Sequence, residues 1–208
     1  MFKILYFLSI LYVSKAFDLC VVGASSGLGR ELIYQSVKDR NKKVLGLSGI
    51  AYPVYEPYRG NSYEDIKQMP EIKNKNLILD SYWNNIKDEY KNIIFCTSAS
   101  AFEKDYSDKL TKKFLENLPE SCKTISLVSA FGVGDSLNEG NIGIQIMEKV
   151  YLKDVYRAKN VQENLINSFN KDVKKFIYRP KALSYGNTFF ESIPRFELAE
   201  EILDNIIY

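Results

Sequence analysis

Residues 21–32 read Val21-Val22-Gly23-Ala24-Ser25-Ser26-Gly27-Leu28-Gly29-Arg30-Glu31-Leu32. The stretch joins an apolar run, 17–22, to a segment, 27–39, whose apolar residues fall at helical spacing. Three glycines stand between them as Gly-x-x-x-Gly-x-Gly. Gly23 permits a tight exit from a strand, Gly27 lets the backbone approach a pyrophosphate, and Gly29 lets the helix pack close to the sheet. Free N–H groups of the first helical turn, with the helix dipole, then face an anion. A glycine triplet alone also fits a structural turn that holds no ligand. Its place between a first strand and an amphipathic helix is what makes it a dinucleotide-binding signal.

Outward from this turn, short continuous apolar runs alternate with helical patterns. Strands are expected at 17–22, 43–48, 76–79, 91–97, 123–129 and 174–178, and helices near 27–39, 82–90, 104–118, 144–169 and 196–207. Continuous apolarity suits parallel strands covered on both faces. The pattern predicts a doubly wound α/β domain of the Rossmann type, a single unit over 17–208. The stretch 50–75, with Pro53, Pro57, Gly60 and Pro70 among tyrosines and charges, reads as a long surface loop.

Composition narrows the chemistry. The chain has 208 residues, 46% of them apolar and 13% aromatic, which fits a globular protein with a sizeable core. It contains no histidine, so no Ser-His-Asp or Cys-His apparatus and no His-containing zinc site is available. Cys20, Cys96 and Cys122 show no CxxC spacing; they are expected as buried thiols, and no metal site is expected.

Met1-Phe2-Lys3, the apolar run 4–13 and Ser14-Lys15-Ala16 have the layout of a secretory signal, with small residues at −3 and −1 of a cut before Phe17. An extra strand or a short membrane-associated helix is the alternative, and an uncleaved chain would be cytoplasmic. The Ala16-Phe17 junction also resembles presequences directed to complex plastids, though the further transit stretch of those presequences has no room here. Removing 1–16 leaves 26 basic and 26 acidic residues. A neutral mature chain argues against charge-driven binding to nucleic acid or to an anionic membrane.

The turn Gly23-Ala-Ser-Ser-Gly-Leu-Gly29 resembles that of the short-chain dehydrogenase/reductase superfamily. Leu127-Val-Ser129-Ala-Phe-Gly-Val-Gly-Asp-Ser136, Ala158-Lys159 with Glu163 and Leu165, Tyr178-Arg179-Pro180 with Leu183, and Arg195-Phe-Glu-Leu-Ala199 resemble its atypical branch. That branch holds NmrA-like NAD(P)H-binding proteins and relatives of biliverdin reductase B and flavin reductases. The resemblance implies a nicotinamide nucleotide held by Gly23, Ser25, Ser26, Gly27, Leu28, Gly29 and Arg30. It further implies contacts from Ser48 at the end of the second strand, Asp80 after the third and Thr97-Ser98-Ala99 after the fourth. No acid ends the second strand, where Ser48-Gly49 stand, and Arg30 lies close by. A hydroxyl and a cation accept a 2′-phosphate better than a carboxylate would, which favours NADP(H) over NAD(H). Arg30 as a solvated surface residue and Asp80 as a helix cap are the competing readings.

Ordinary members of the superfamily use Tyr-x-x-x-Lys on one helix face and a serine after the fifth strand. Ser129 and Lys159 match two of those places as candidate catalytic residues, but the tyrosine position holds Val155. Tyr156 lies one residue off, turned about 100° around the helix, and Tyr151 has no support from the resemblance. Three functions remain. One is an oxidoreductase passing hydride directly from NADPH to a planar, apolar acceptor such as a flavin or quinone, with Ser129 orienting nicotinamide or substrate and Lys159 holding ribose hydroxyls. The second is a non-catalytic NADP-binding regulator or assembly factor. The third is a sugar-nucleotide epimerase, disfavoured by Val155. Lys159 could instead simply pair with Glu163 at i,i+4, and Ser129 could simply cap the strand. Tyr52, Tyr55, Tyr58 and Tyr63 could stack on a ring or merely cover the domain. Phe131 and Phe189-Phe190 are candidate pocket and lid residues.

Overall fold

Leu19, Cys20, Val21 and Val22 are all fully enclosed, a pattern that a strand shows only when both of its faces are covered. They form β1 (Ala16–Val22). The computed structural model describes residues 15–49, 69–74, 88–97, 105–136, 153–184 and 192–206. After β1 come α1 (Gly27–Lys38), β2 (Val44–Ser48), β3 (Glu71–Asn74), β4 (Glu89–Phe95), α2 (Tyr106–Glu116), β5 (Thr124–Val128), a 3₁₀ turn (Gly134–Ser136), α3 (Lys153–Ser168), β6 (Lys174–Tyr178), β7 (Leu183–Ser184), β8 (Ile193–Pro194) and α4 (Arg195–Ile206).

The main sheet has the order β3-β2-β1-β4-β5-β6, and every pair is parallel. This is the expected doubly wound α/β arrangement. One face carries α2 and α3, with Phe95, Leu110, Phe114, Ile125, Leu127 and Ile166 at its centre. The other carries α1 and α4, where Leu28, Leu32, Ile33, Leu198, Ile202 and Leu203 meet Leu19, Val21 and Ile94. Chain order reverses between β1 and β4, so the crevice at their carboxyl ends is the natural ligand site of such a sheet. β7 and β8 form a separate two-stranded parallel pair.

Two sequence expectations need correction. The stretch 50–75 is not loop throughout, because Glu71–Asn74 pairs with β2 as the edge strand β3. Only Ile72 among its four residues is aliphatic, and an edge strand needs no continuous apolar run; the expected strand at 76–79 lies outside the described residues. The helix expected over 82–90 gives way by Glu89, where β4 begins, since Tyr90 packs into the core under β1. The first nine residues of the helix expected at 144–169 also lie outside the described residues. Among the described residues, no helix is long and apolar enough to cross a membrane.

Phe95 is fully enclosed and meets Phe114 edge to face, with ring centroids 5.6 Å apart. This contact ties α2 to the centre of the sheet. Phe95→Ala should lower the unfolding free energy by about 3–5 kcal/mol, measured by urea denaturation; a loss under about 1 kcal/mol would mean that this face is not packed as described.

Candidate functional site

The glycine turn is built by contact. Gly23 has φ +93°, and a Cβ there would lie 3.0 Å from the Cys96 carbonyl carbon and oxygen at the end of β4. A Cβ on Gly29 would lie 2.3 Å from the Gly23 carbonyl oxygen. Both positions therefore exclude any side chain, and α1 starts directly against the end of β1. Ser26 caps the helix by accepting the Gly29 N–H at 2.9 Å. The N–H groups of Gly27 and Leu28 have no acceptor among the described residues, leaving two donors at the positive end of the helix dipole. Leu28's side chain is buried against the core, so only its backbone can reach a ligand.

At the neighbouring strand end the buried Ser48 donates its hydroxyl to Ser25 Oγ at 2.9 Å. Arg30, in the first turn of α1, is partly buried rather than fully solvated. Thr97 follows β4 and is half-buried. Asp80, Ser98, Ala99 and Tyr151 lie outside the described residues, as do Tyr52, Tyr55, Tyr58, Tyr63, Phe189 and Phe190.

Ser129 stands immediately after β5, its N–H donating to the Tyr178 carbonyl at 2.8 Å. Its hydroxyl is buried and has no hydrogen-bond partner among the described residues. A buried hydroxyl left unpaired costs stability unless a ligand or water completes it. Lys159, on α3, is also buried, and its ammonium donates to the Thr97 carbonyl and, at 2.7 Å, to the Val128 carbonyl. Thus Lys159 links the carboxyl ends of β4 and β5. It does not pair with Glu163, whose carboxylate takes Arg179 instead, at 3.0 and 2.8 Å. Val155 is one turn ahead of Lys159 on α3, so no phenol stands at the relay position.

Two site features escaped the sequence reading. Gln162, fully enclosed, donates to Thr111 Oγ1 at 2.8 Å and to Thr97 Oγ1 at 3.3 Å, joining α3 to α2 and to the end of β4. The second is the pairing of Glu163 with Arg179. The signal was available: Ala158, Lys159, Gln162, Glu163 and Ile166 share one buried stripe of α3, and three of these five are polar or charged. A cleft of about 580 Å³ opens beyond the end of β6, lined by Tyr178, Arg179, Lys181, Ile193, Glu197 and Glu201 among others. Phe131, the candidate for an apolar pocket wall, is not among its lining residues. Cys20 and Cys122 are buried thiols and Cys96 is partly buried; burial pushes Cys96 up to about 12 and Cys122 to about 11, which leaves no thiolate nucleophile among them at neutral pH. Among the described residues no cluster of metal-ligating side chains occurs.

No protein-family model and no curated protein matches the chain. Solved structures do. The anaerobillin reductase ChuY from Escherichia coli O157:H7 superposes with a TM-score of 0.63 at 14% identity, over 91% of each chain. A short-chain dehydrogenase/reductase from Veillonella parvula gives 0.66 at 10% identity, over 92% of this chain and 86% of that one. WbmF from Bordetella bronchiseptica, in complex with NAD+, gives 0.54 at 12% identity, over 82% of this chain and 51% of that one. The likeness establishes the fold, the doubly wound Rossmann-type α/β domain that these proteins share and that the turn at 23–29 had led us to expect.

Burial lowers the Lys159 pKa from 10.5 to about 8. Below pH 8 the lysine is charged in both folded and unfolded chains. Between about 8 and 10.5 the unfolded chain holds a proton that the folded protein has released, so Lys159's contribution to stability rises with pH across that window. The difference in unfolding free energy between wild type and Lys159→Met should move in the wild type's favour by on the order of 2–3 kcal/mol from pH 7 to 10.5. A pH-independent difference would contradict the buried ammonium.

Proposed function

We propose that the protein is an NADP(H)-dependent oxidoreductase acting on a small, planar acceptor of flavin or quinone type. Bound NADPH supplies the hydride. The reading is carried by one juxtaposition: the first-turn donors of Gly27 and Leu28 and the buried Ser129 hydroxyl, all without a partner among the described residues, lie at the same end of the sheet. The donors suit a pyrophosphate, and the hydroxyl suits a polar group of nicotinamide or acceptor. With Val155 at the relay position, the chain offers no acid of its own there, so the proton comes from solvent. Direct reduction of a flat conjugated acceptor tolerates this, whereas carbonyl reduction ordinarily relies on the relay. The reductase among the structural neighbours supports the same class.

Preference for NADP(H) rests on the uncharged Ser48–Ser25 hydroxyl pair at the end of β2 and on the partly buried Arg30 nearby. A second reading, a nucleotide-binding regulator without turnover, draws its support from Lys159, whose ammonium already serves two strand carbonyls. Titration of the purified protein with NADPH and NADH, followed at 340 nm with flavin and quinone acceptors, separates the two. NADPH should bind at least about tenfold more tightly than NADH, a difference of about 1.4 kcal/mol, and its absorbance should fall when acceptor is added. Tight binding without oxidation selects the regulator, and no binding of either nucleotide defeats both.

We also propose entry into the secretory pathway through residues 1–16. β1 begins at Ala16, and Lys15 pairs with Glu71 at 2.8 Å, so cleavage before Phe17 would remove the first residue of the strand and this exposed ion pair. The exposed pair contributes little, so the fold tolerates the loss. N-terminal sequencing of the mature protein should begin at Phe17; an intact Met1 would end this proposal.

A further inference from the structure

Glu163 and Arg179 form a forked ion pair that the proposed hydride transfer does not use. Arg179 Nε donates to Glu163 Oε1 at 3.0 Å and Nη2 to Oε2 at 2.8 Å. Glu163 is only 2% exposed. A buried carboxylate held this way is costly to assemble and is weak evidence of stabilisation for its own sake. Its surroundings indicate another use. The loop 129–136, which begins with Ser129, runs directly over the pair. A Cβ at Gly134, where φ is +57°, would lie 2.2 Å from Glu163 Oε2 and 3.0 Å from Arg179 Nη2. The next residue, exposed Asp135, accepts from the same Nη2 at 3.3 Å.

The rest of the loop is laced to the segment that carries Arg179. Ser129 N–H donates to the Tyr178 carbonyl and Phe131 N–H to the Pro180 carbonyl at 3.1 Å, while Lys181 Nζ lies 5.5 Å from the centre of the Phe131 ring. Within the loop, Ser136 Oγ accepts the Gly132 N–H at 2.9 Å and donates to the Val133 carbonyl. Helix α3 therefore reaches the site twice. Lys159 fixes the ends of β4 and β5, and Glu163, one turn further on, fixes Arg179 and through it the loop.

We propose that Arg179 is a positioning residue: held by Glu163, it sets the 129–136 loop so that Ser129 and Phe131 stand correctly toward the acceptor. The proposal rests on the reading of Ser129 given above. The pyrophosphate donors lie at the start of α1, across the sheet from α3, so those contacts stay outside its reach and only the Ser129 end of the nucleotide is affected. Loss of the fork lets the loop shift, which lowers turnover while leaving the cofactor bound.

The test uses the full chain carrying Arg179→Met, Arg179→Lys and, separately, Gly134→Ala, with two readouts. Backbone hydrogen exchange at Ser129, Phe131, Gly132 and Ser136 should quicken at least about tenfold in Arg179→Met and Gly134→Ala while β5 stays protected. With NADPH and the best acceptor, kcat should fall at least about tenfold while the NADPH dissociation constant rises by no more than about threefold, and Arg179→Lys should recover part of the lost turnover. Gly134→Ala keeps both charged partners, so it decides the matter if Arg179→Met fails to fold. Unchanged exchange in the loop, or equal losses of nucleotide binding and turnover, would overturn the proposal. A wild type that oxidises no NADPH defeats the oxidoreductase reading instead, and loop exchange alone then decides for or against Arg179.

Discussion

The site depends first on how closely α1 approaches the end of β1. Only hydrogen at position 29 leaves room for the Gly23 carbonyl, and only a residue tolerant of positive φ and lacking a side chain fits at 23 against Cys96. This contact sets the helix start at the switch point of the sheet and aims its free N–H groups into the crevice between β1 and β4. A helix start even one turn later would spread those donors over the outer face of α1. The proposed nucleotide cradle is thus a consequence of packing, with Ser26 closing the Gly29 amide.

The opposite half of the site is governed by α3. Three polar side chains on its buried stripe each reach a different neighbour: Lys159 the ends of β4 and β5, Gln162 α2 and Thr97, and Glu163 the arginine that follows β6. Burying an ammonium, an amide and a carboxylate on one helix is unfavourable unless each finds partners. Their partners are the loops at the carboxyl edge of the sheet, so the cost of burial is converted into fixed geometry where a ligand would lie. The absence of histidine and the valine at 155 sharpen the result. No proton-relay phenol stands at position 155, whereas the groups proposed to bind the nucleotide lie on both sides of the crevice.

Much of this could be read from the chain. The turn 23–29, the buried runs of β1, β2, β4 and β5, and the fold class all follow from local spacing, because parallel strands covered on both faces have a distinctive continuous apolarity. The edge strand 71–74 could not be found in that way: Glu71 and Lys73 flank a single aliphatic residue, and the strand exists through pairing with β2 rather than through its own burial. The start of β4 was missed because Glu89 and Tyr90 read as the end of the 82–90 helix until Tyr90 is seen to pair with Phe17 of β1 and pack into the core. Ser129 and Lys159 were legible as positions, but Lys159's partners were not, since backbone carbonyls of distant strands leave no trace in side-chain spacing. The Glu163–Arg179 fork was hidden for a related reason. Its halves lie 16 residues apart in two segments separately matched by resemblance, and only the register of β6 beside β5 brings them together.

The central claim is that one crevice, between the 23–29 turn and Ser129, holds a nicotinamide nucleotide. A crystal structure of the protein grown with saturating NADPH tests it most directly. The account predicts the pyrophosphate against the N–H groups of Gly27 and Leu28, with the nicotinamide end within hydrogen-bonding reach of Ser129 Oγ. A nucleotide bound elsewhere, or a crevice that stays empty at saturation, would contradict it.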